Sequence, residues 1–333
     1  MKAPITVLLT LITMALVAQS TVEKYVREGV QYHDAGDYRS ALEAYQHALY
    51  LNPKSSLANY EIAMTYSVLN EHDSALKYTD IVIGLNESSL IPAYIVKGNS
   101  LDALGKPEEA ISTYKKALRR VGKHYLLYYN MGLTYFTLKD HESAKEALID
   151  GIRNNPTHNS SHLLLGQLMY IMDQPVQSLL ALYYFLLMEP NSNRSPGAYQ
   201  LVTSQLTGNA EREGNNINVI VPVTNDKKED FSAAAMMLSM FGALNLSDEN
   251  KDQTPEEQFI SNTRSFFKIL GELKTKKNKG LWWEFYVPFF YDLALSDHLE
   301  TYCYYISQSD NQNAITWLDS NIERIQALDQ WLR

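Results

Sequence analysis

Apolar residues recur at helical spacing across residues 22–190, and short polar turns divide them into paired runs. Between the runs of the first pair lies Asp34-Ala35-Gly36-Asp37-Tyr38, where Gly36 suits a left-handed turn and Asp37 suits a helix N-cap. Tyr and Leu on either side predict two amphipathic helices, and Asn52-Pro53 closes the second because proline cannot continue a helix. The pair then repeats. Gly29, Ala63, Gly98, Gly132 and Gly166 stand 34, 35, 34 and 34 residues apart, and Ala41, Ala75, Ala110, Ala144 and Ser178 keep the same intervals. A fixed period in this range predicts stacked helical hairpins, because one hairpin cannot cover its own apolar face. Small residues at these beats let paired helices approach closely, while Tyr32, Tyr45, Tyr66 and Tyr135 fill the space beside them.

Five such repeats are expected, over about 22–55, 56–90, 91–124, 125–158 and 159–192. Residues 191–197 are rich in Asn, Ser, Pro and Gly, and there the beat is lost. Beyond them, 193–333 reads as a mainly helical C-terminal region. Residues 198–207 suit one more helix. Residues 217–223 form a β-branched, alternating run with Pro222 favouring an edge; no partner strand is evident, and an extended segment across helices is the alternative. Asp230 suits the cap of a helix reaching about residue 244, and Thr254-Pro255-Glu256-Glu257 is a strong start for another reaching about 273. Residues 281–295 are the most aromatic stretch, with Pro288 expected to kink them. Two final helices, about 297–307 and 312–331, place Tyr302 and Ala314 at the interval that separates Gly29 from Ala41, so they also read as a degenerate hairpin of the same kind.

The repeat pattern resembles the tetratricopeptide repeat (TPR) family. The match lies in the small residue at the eighth place, the aromatic three later, Ala at the twentieth, an aromatic at the twenty-fourth and Pro near the end. It covers half the chain. The early Trp of the family is absent throughout, and Thr79 stands where repeat two would carry its second aromatic. The resemblance implies an all-α fold, a right-handed α-α superhelix of helical hairpins whose concave groove binds peptides or proteins. The family's groove places fall on Tyr60, Met64, Ile95, Asn99, Tyr129, Leu133, Phe136, Gln167 and Tyr170, a mostly apolar and aromatic set. Of the Lys, Asn and Arg residues with which some members clamp a terminal carboxylate, only Asn99 is in place. Two readings stay open: an apolar peptide or helix docks in the groove, or the C-terminal region folds back and fills it, sparing the chain a large exposed apolar strip. The general look of the leader and the aromatic tail resembles exported Bacteroidetes proteins of this family.

Charge and chemistry narrow the reading. A net charge of −9 disfavours nucleic acid and anionic lipid as partners. Lys2, the apolar run over residues 5–17 and Ala18-Gln19-Ser20 predict a secretory signal over 1–20, cleaved after Ser20 or Gln19, hence a periplasmic or surface-exposed protein without stable membrane insertion. The single cysteine, Cys303, sits among tyrosines and reads as a buried small hydrophobe. His158 and His162 share a helical spacing but lack a third ligand, so no metal is expected. The chain shows no phosphate loop, nucleophile elbow or zinc-protease motif, and neither a catalytic residue nor a cofactor is expected. The expectation is a non-catalytic scaffold or assembly factor of the cell envelope. Its rival is an enzyme or small-ligand site within 196–333 that uses the repeats as a docking arm, with Glu284, Asp292 and His298 as ordinary candidates.

Overall fold

The structure, a computed structural model, describes residues 3–86, 90–207, 210–213, 216–219, 231–247 and 252–333. The chain divides into two compact units, Met1–Ala147 and Leu148–Arg333.

Unit 1 is built from helical hairpins. Its helices are α1 (Ala3–Asp34), α2 (Tyr38–Leu51), α3 (Ser56–Val68), α4 (His72–Leu85), α5 (Leu90–Ala103), α6 (Pro107–Val121) and α7 (Tyr125–Thr137), followed by α8 (His141–Asn154). The predicted leader and the first repeat helix form the single helix α1. Each helix of a pair packs on the next, as α1 on α2, α3 on α4 and α5 on α6. The beat residues explain why. A Cβ added at Gly29 would enter the Tyr45 ring, and one at Gly98 the Tyr114 ring. Repeat two solves the same contact differently: its small residue is Ala63, and the opposing aromatic is reduced to Thr79, both fully buried. The missing aromatic therefore compensates for an added methyl.

The turns carry a third beat that residue types alone obscure. Gly36, Asn70, Gly105, Lys139 and Asp173 stand 34, 35, 34 and 34 residues apart, and all have φ between 56° and 79°. The residue after each donates its N–H to a carbonyl five back: Asp37 to Tyr32, Glu71 to Tyr66, Lys106 to Leu101, Asp140 to Tyr135 and Gln174 to Met169, at 2.9–3.0 Å. This is the six-to-one bond of the Schellman motif, which satisfies an orphan carbonyl at each helix end.

The boundary falls within α8, and unit 2 continues with the expected fifth repeat, α9 (Asn159–Ile171) and α10 (Pro175–Met188), then α11 (Ser195–Thr207). The strand expected over 217–223 begins one residue earlier. β2 (Asn216–Val219) pairs antiparallel with β1 (Ala210–Glu213), joining Ala210 to Val219 and Glu213 to Asn216. The partner went unseen because Ala-Glu-Arg-Glu has no β-forming character of its own. Val221, Pro222, Val223 and the predicted cap Asp230 lie outside the described residues.

Next come α12 (Ser232–Asn245), α13 (Pro255–Leu273), a π-helical turn (Trp282–Tyr286), α14 (Val287–Leu295), α15 (Leu299–Ser307), α16 (Gln312–Ser320) and α17 (Ile322–Leu332). Thr254 and Glu257 close the predicted capping box on α13. Pro288 follows a π turn in which Val287 donates to Trp282; widening the helix there relieves the clash of a proline ring with the preceding turn. The helix expected over 312–331 is two helices, because Asn321 leaves helical geometry and its Nδ2 donates to the Trp317 carbonyl at 2.7 Å. Leu299, Tyr302 and Ala314 are fully buried.

Aromatics form the core of unit 2. Phe267 stacks on Phe290 with ring centroids 4.4 Å apart and meets Tyr183 edge-on at 4.9 Å. Tyr302 donates to the Tyr183 carbonyl at 2.9 Å, and the Tyr183 and Thr263 hydroxyls lie 2.7 Å apart. Trp283 stacks on Phe231, and both Trp282 and Trp283 are buried, so this stretch is core. Cys303 is buried in the same unit, and burial pushes its thiol well up from its ordinary range.

Candidate functional site

On the first helix of each repeat, burial alternates. Ile62 and Ala63 on α3, Tyr94 and Val96 on α5, Leu127 and Met131 on α7, and Leu165 and Leu168 on α9 are buried. The predicted groove residues sit between them on the same helices. Tyr60, Met64, Ile95, Tyr129, Phe136 and Gln167 are partly exposed, and Asn99, Leu133 and Tyr170 are exposed. None of the nine is taken wholly into a core. In unit 1 this gives α3, α5 and α7 a face of Tyr60, Met64, Ile95, Tyr129, Leu133 and Phe136; in unit 2 the corresponding residues are Gln167 and Tyr170 on α9.

Asn99 is engaged within the fold. It accepts from the Tyr114 hydroxyl at 2.6 Å, while Asp102 accepts from Thr134 at 3.1 Å. Burial, and after it the Asp102 carboxylate, push the Tyr114 phenol up. Asn99 is thus a positioned polar group on an otherwise apolar face.

In unit 2 the C-terminal helices pack on α10, which contacts α11, α12, the π turn and α15. In repeat five the tail packs on the second helix and also meets the first at His162, whose ring lies against Phe285 and Tyr286, while Tyr170 on that first helix stays 49% exposed. The α10 surface explains the choice, since Val176, Leu179, Leu180, Ala181, Leu182, Tyr183, Phe185 and Leu186 bury every side of that helix.

His162 is a structural residue. Its Nε2 lies 2.9 Å from the Pro156 carbonyl, so that nitrogen carries the proton, and Nδ1 accepts from the Tyr286 hydroxyl at 2.6 Å. Burial is the main cause that holds the ring down to about 4 from the usual 6.5, and the Pro156 carbonyl opposes it. His158 pairs with the Ser161 hydroxyl at 2.8 Å. No group of three metal-ligating side chains occurs among the described residues. Glu284 accepts from the Gly280 N–H at 3.0 Å at the start of its helix.

The C-terminal region holds one feature that sequence reading missed. A cavity of about 170 Å³ opens between α11, α13, α15 and the N-cap residue Asn311, lined by Tyr199, Leu206, Phe259, Asn262, Tyr304 and other side chains. At its edge Glu256 accepts from Asn313 at 2.9 Å and Asn311 at 3.1 Å, and the Asn313 bond foremost holds its carboxyl below the usual range. Its residues come from three helices and one helix cap, with no shared sequence interval. Another missed residue is Glu61, the one charged side chain on α3, half-buried beside Tyr60. Its isolation among apolar neighbours was the available signal.

Among known proteins, the tetratricopeptide repeat family model matches residues 27–87 and 95–159. The chain is 28% identical over 134 residues to BBSome complex member BBS4 of Bos taurus, covering 40% of this chain and 25% of the relative. It is 32% identical over 110 residues to small glutamine-rich tetratricopeptide repeat-containing protein 2 of Saccharomyces cerevisiae, covering 33% of this chain and 29% of the relative. The chain thus spans less than a third of the length of these curated relatives. Among solved structures it is similar to TTC0263, a thermophilic TPR protein of Thermus thermophilus, with 23% identity, a TM-score of 0.46 and coverage of 54% of this chain and 98% of that one. It is also similar to Pseudomonas aeruginosa PilF, with 18% identity, a TM-score of 0.48 and coverage of 56% and 89%. Among the described residues, no helix is long and apolar enough to cross a membrane.

Proposed function

We propose that this chain, whose residues 27–87 and 95–159 are tetratricopeptide repeats, is a protein-interaction scaffold or assembly factor of the cell envelope. It binds a peptide or protein segment on the first-helix face of its repeats. The observation that carries the reading is the alternation on α3, α5 and α7: one side is fully buried, and the other keeps aromatic and aliphatic groups partly open. Large apolar side chains held on rigid helices are effective binding anchors, because little conformational entropy is lost when a partner covers them. The leader pattern over residues 1–20 supports export. The test is affinity capture from the native envelope, compared with a Tyr129→Ala/Phe136→Ala protein. Loss of the captured partners with unchanged thermal stability is the expected result, and an unchanged partner set removes this face from the account.

The cavity of unit 2 favours a second reading, a small-ligand site in the C-terminal region. Its size suits a ligand of roughly one aromatic ring, since a cavity of about 150 Å³ holds benzene. Its aromatic walls and the Glu256 carboxylate suit a cationic or hydrogen-bonding ring. Thermal-shift screening against Tyr304→Ala distinguishes the two readings, because the repeat face is absent from that cavity.

A further inference from the structure

Two hollows of unit 2 share a wall. The cavity between α11, α13 and α15 and an open groove of about 430 Å³ along α16 are both lined by Glu256 and Tyr304. They differ in what else lines them. Rings and aliphatic groups dominate the cavity, Tyr199, Leu206, Phe259 and Ile260 among them. The groove is polar and, Glu256 apart, uncharged: Thr254, Asn313, Thr316, Ser320 and Asn321 stand beside Trp317. The aromatic walls are held by their own contacts. Tyr199 meets Phe259 edge-on with ring centroids 5.4 Å apart, and Tyr304 stacks on Trp317 at 4.2 Å. Arg324 also lies over Trp317, 4.9 Å from its centroid, and is paired with Glu300 at 2.7 Å. A ring entering the cavity thus meets surfaces that need little reordering, which favours binding.

Glu256 is the one charged side chain that lines either hollow. Its Oε1 accepts from Asn313 at 2.9 Å and from Asn311 at 3.1 Å, while Oε2 has no hydrogen-bond partner in another residue among the described residues. No Lys or Arg among the described residues pairs with it. The Asn313 bond foremost holds the carboxyl below its usual range, which leaves it ionised at neutral pH. Two neutral amides therefore fix the carboxylate in place without cancelling its charge, and the first turn of α13 adds only partial positive charge. A partly buried anion without a counter-ion favours a cation beside it.

We propose that this site takes an aromatic ring bearing a protonated primary amine on a short arm. The ring occupies the cavity, and the ammonium donates to the Glu256 carboxylate where the cavity meets the groove. That chemistry has two sources: a free arylalkylamine, or the aromatic first residue of a peptide whose chain continues along Asn313, Thr316 and Ser320. The inference rests on the small-ligand reading of unit 2 given above and adds the charge of the ligand to it.

The probes are phenethylamine and its neutral isostere phenethyl alcohol, with binding to the full chain read by isothermal titration calorimetry. The expected result is that the amine binds at least about tenfold more tightly, the size expected when a charge-assisted bond replaces a neutral one. Glu256→Gln should bring that ratio near unity and leave the alcohol unchanged, with circular dichroism melts confirming that the variant is folded. The probe pair reads the charge on the unsubstituted chain, so the test does not depend on the folding of any variant. Equal binding of the two probes overturns the amine and leaves the small-ligand site standing. Binding of neither overturns both. An amine preference that survives Glu256→Gln overturns the role given to that carboxylate. Phe-Gly-Gly amide separates the two sources: tighter binding than phenethylamine, lost on N-acetylation, assigns the site to a peptide N-terminus, and weaker binding assigns it to a free amine.

Discussion

Helices α6 and α10 hold the same place in repeats three and five, and they bury themselves in opposite ways. α6 buries one stripe, Ala110, Ile111, Tyr114 and Ala117, and turns Glu108, Glu109, Lys115 and Lys116 away from it. α10 buries nearly every residue from Pro175 to Phe185. The first helix needs only its neighbours in the array. The second needs a partner on all sides, and in unit 2 the aromatic helices of the C-terminal region supply it. A repeat register thus sets how helices pair, while the width of the apolar stripe sets how much more chain each pair must recruit.

Four sets of measurements break or sharpen this contrast, beginning with the largest effect. Phe290→Ala removes the ring stacked on Phe267 at the centre of unit 2, and urea unfolding is expected to show a loss of about 4 kcal/mol. Tyr114→Phe in unit 1 removes only a hydroxyl from its bond to Asn99 and is expected to lose about 1 kcal/mol. Equal losses would mean that the two regions are held alike.

His162 gives unit 2 a pH dependence. Its pKa in the fold is held at about 4, below the usual 6.5, so the unfolded chain binds more protons between those values. Stability is therefore full above about pH 7 and falls as pH drops towards 4, by about 3 kcal/mol. Denaturant midpoints from about pH 7.5 to 4.5 should trace this slope, and His162→Gln should flatten its share of it.

Gly98→Ala drives a Cβ into the Tyr114 ring, and a loss of about 2 kcal/mol is expected in thermal melts. The converse tests repeat two. Thr79→Tyr should destabilise beside Ala63 and recover when combined with Ala63→Gly; simple additivity in that double-mutant cycle would refute the compensation.

The smallest effect is a gain. Glu61 titrates above its ordinary value, chiefly through burial, so the charged form is disfavoured and its contribution is lost as pH rises through the raised value. Glu61→Gln should stabilise the chain at about pH 7 by under about 1 kcal/mol and have no effect below about pH 4, as read by melting temperature.

Much of the repeat array was open to reading from residue types. Gly29, Gly98 and Gly166 mark close approaches, and Gly36 marks its turn. The equivalent turns at Lys139 and Asp173 were legible only through register, because neither residue announces a left-handed conformation. Thr79 read as a departure until Ala63 was seen to be buried with it. The interaction-face residues were legible as positions, since they follow from the helical period. The orphan hydroxyl of the buried Tyr45 was not, because it depends on which side chain of α1 lies above it. The break at Asn321 and the partner strand Ala210–Glu213 were hidden because each is decided by hydrogen bonds that its own residues do not announce.

The chain by itself determined the hairpins, their period, the small residues where helices meet and the apolar sides that must be covered, because all of these follow from local geometry repeated along the sequence. Tertiary structure alone decided that the aromatic tail packs on α10, that α11, α13 and α15 leave a cavity between them, and that the buried Tyr45 hydroxyl has no hydrogen-bond partner. Those outcomes depend on which surfaces meet at long range, where burial and hydrogen-bond satisfaction are settled by the neighbour rather than by the residue.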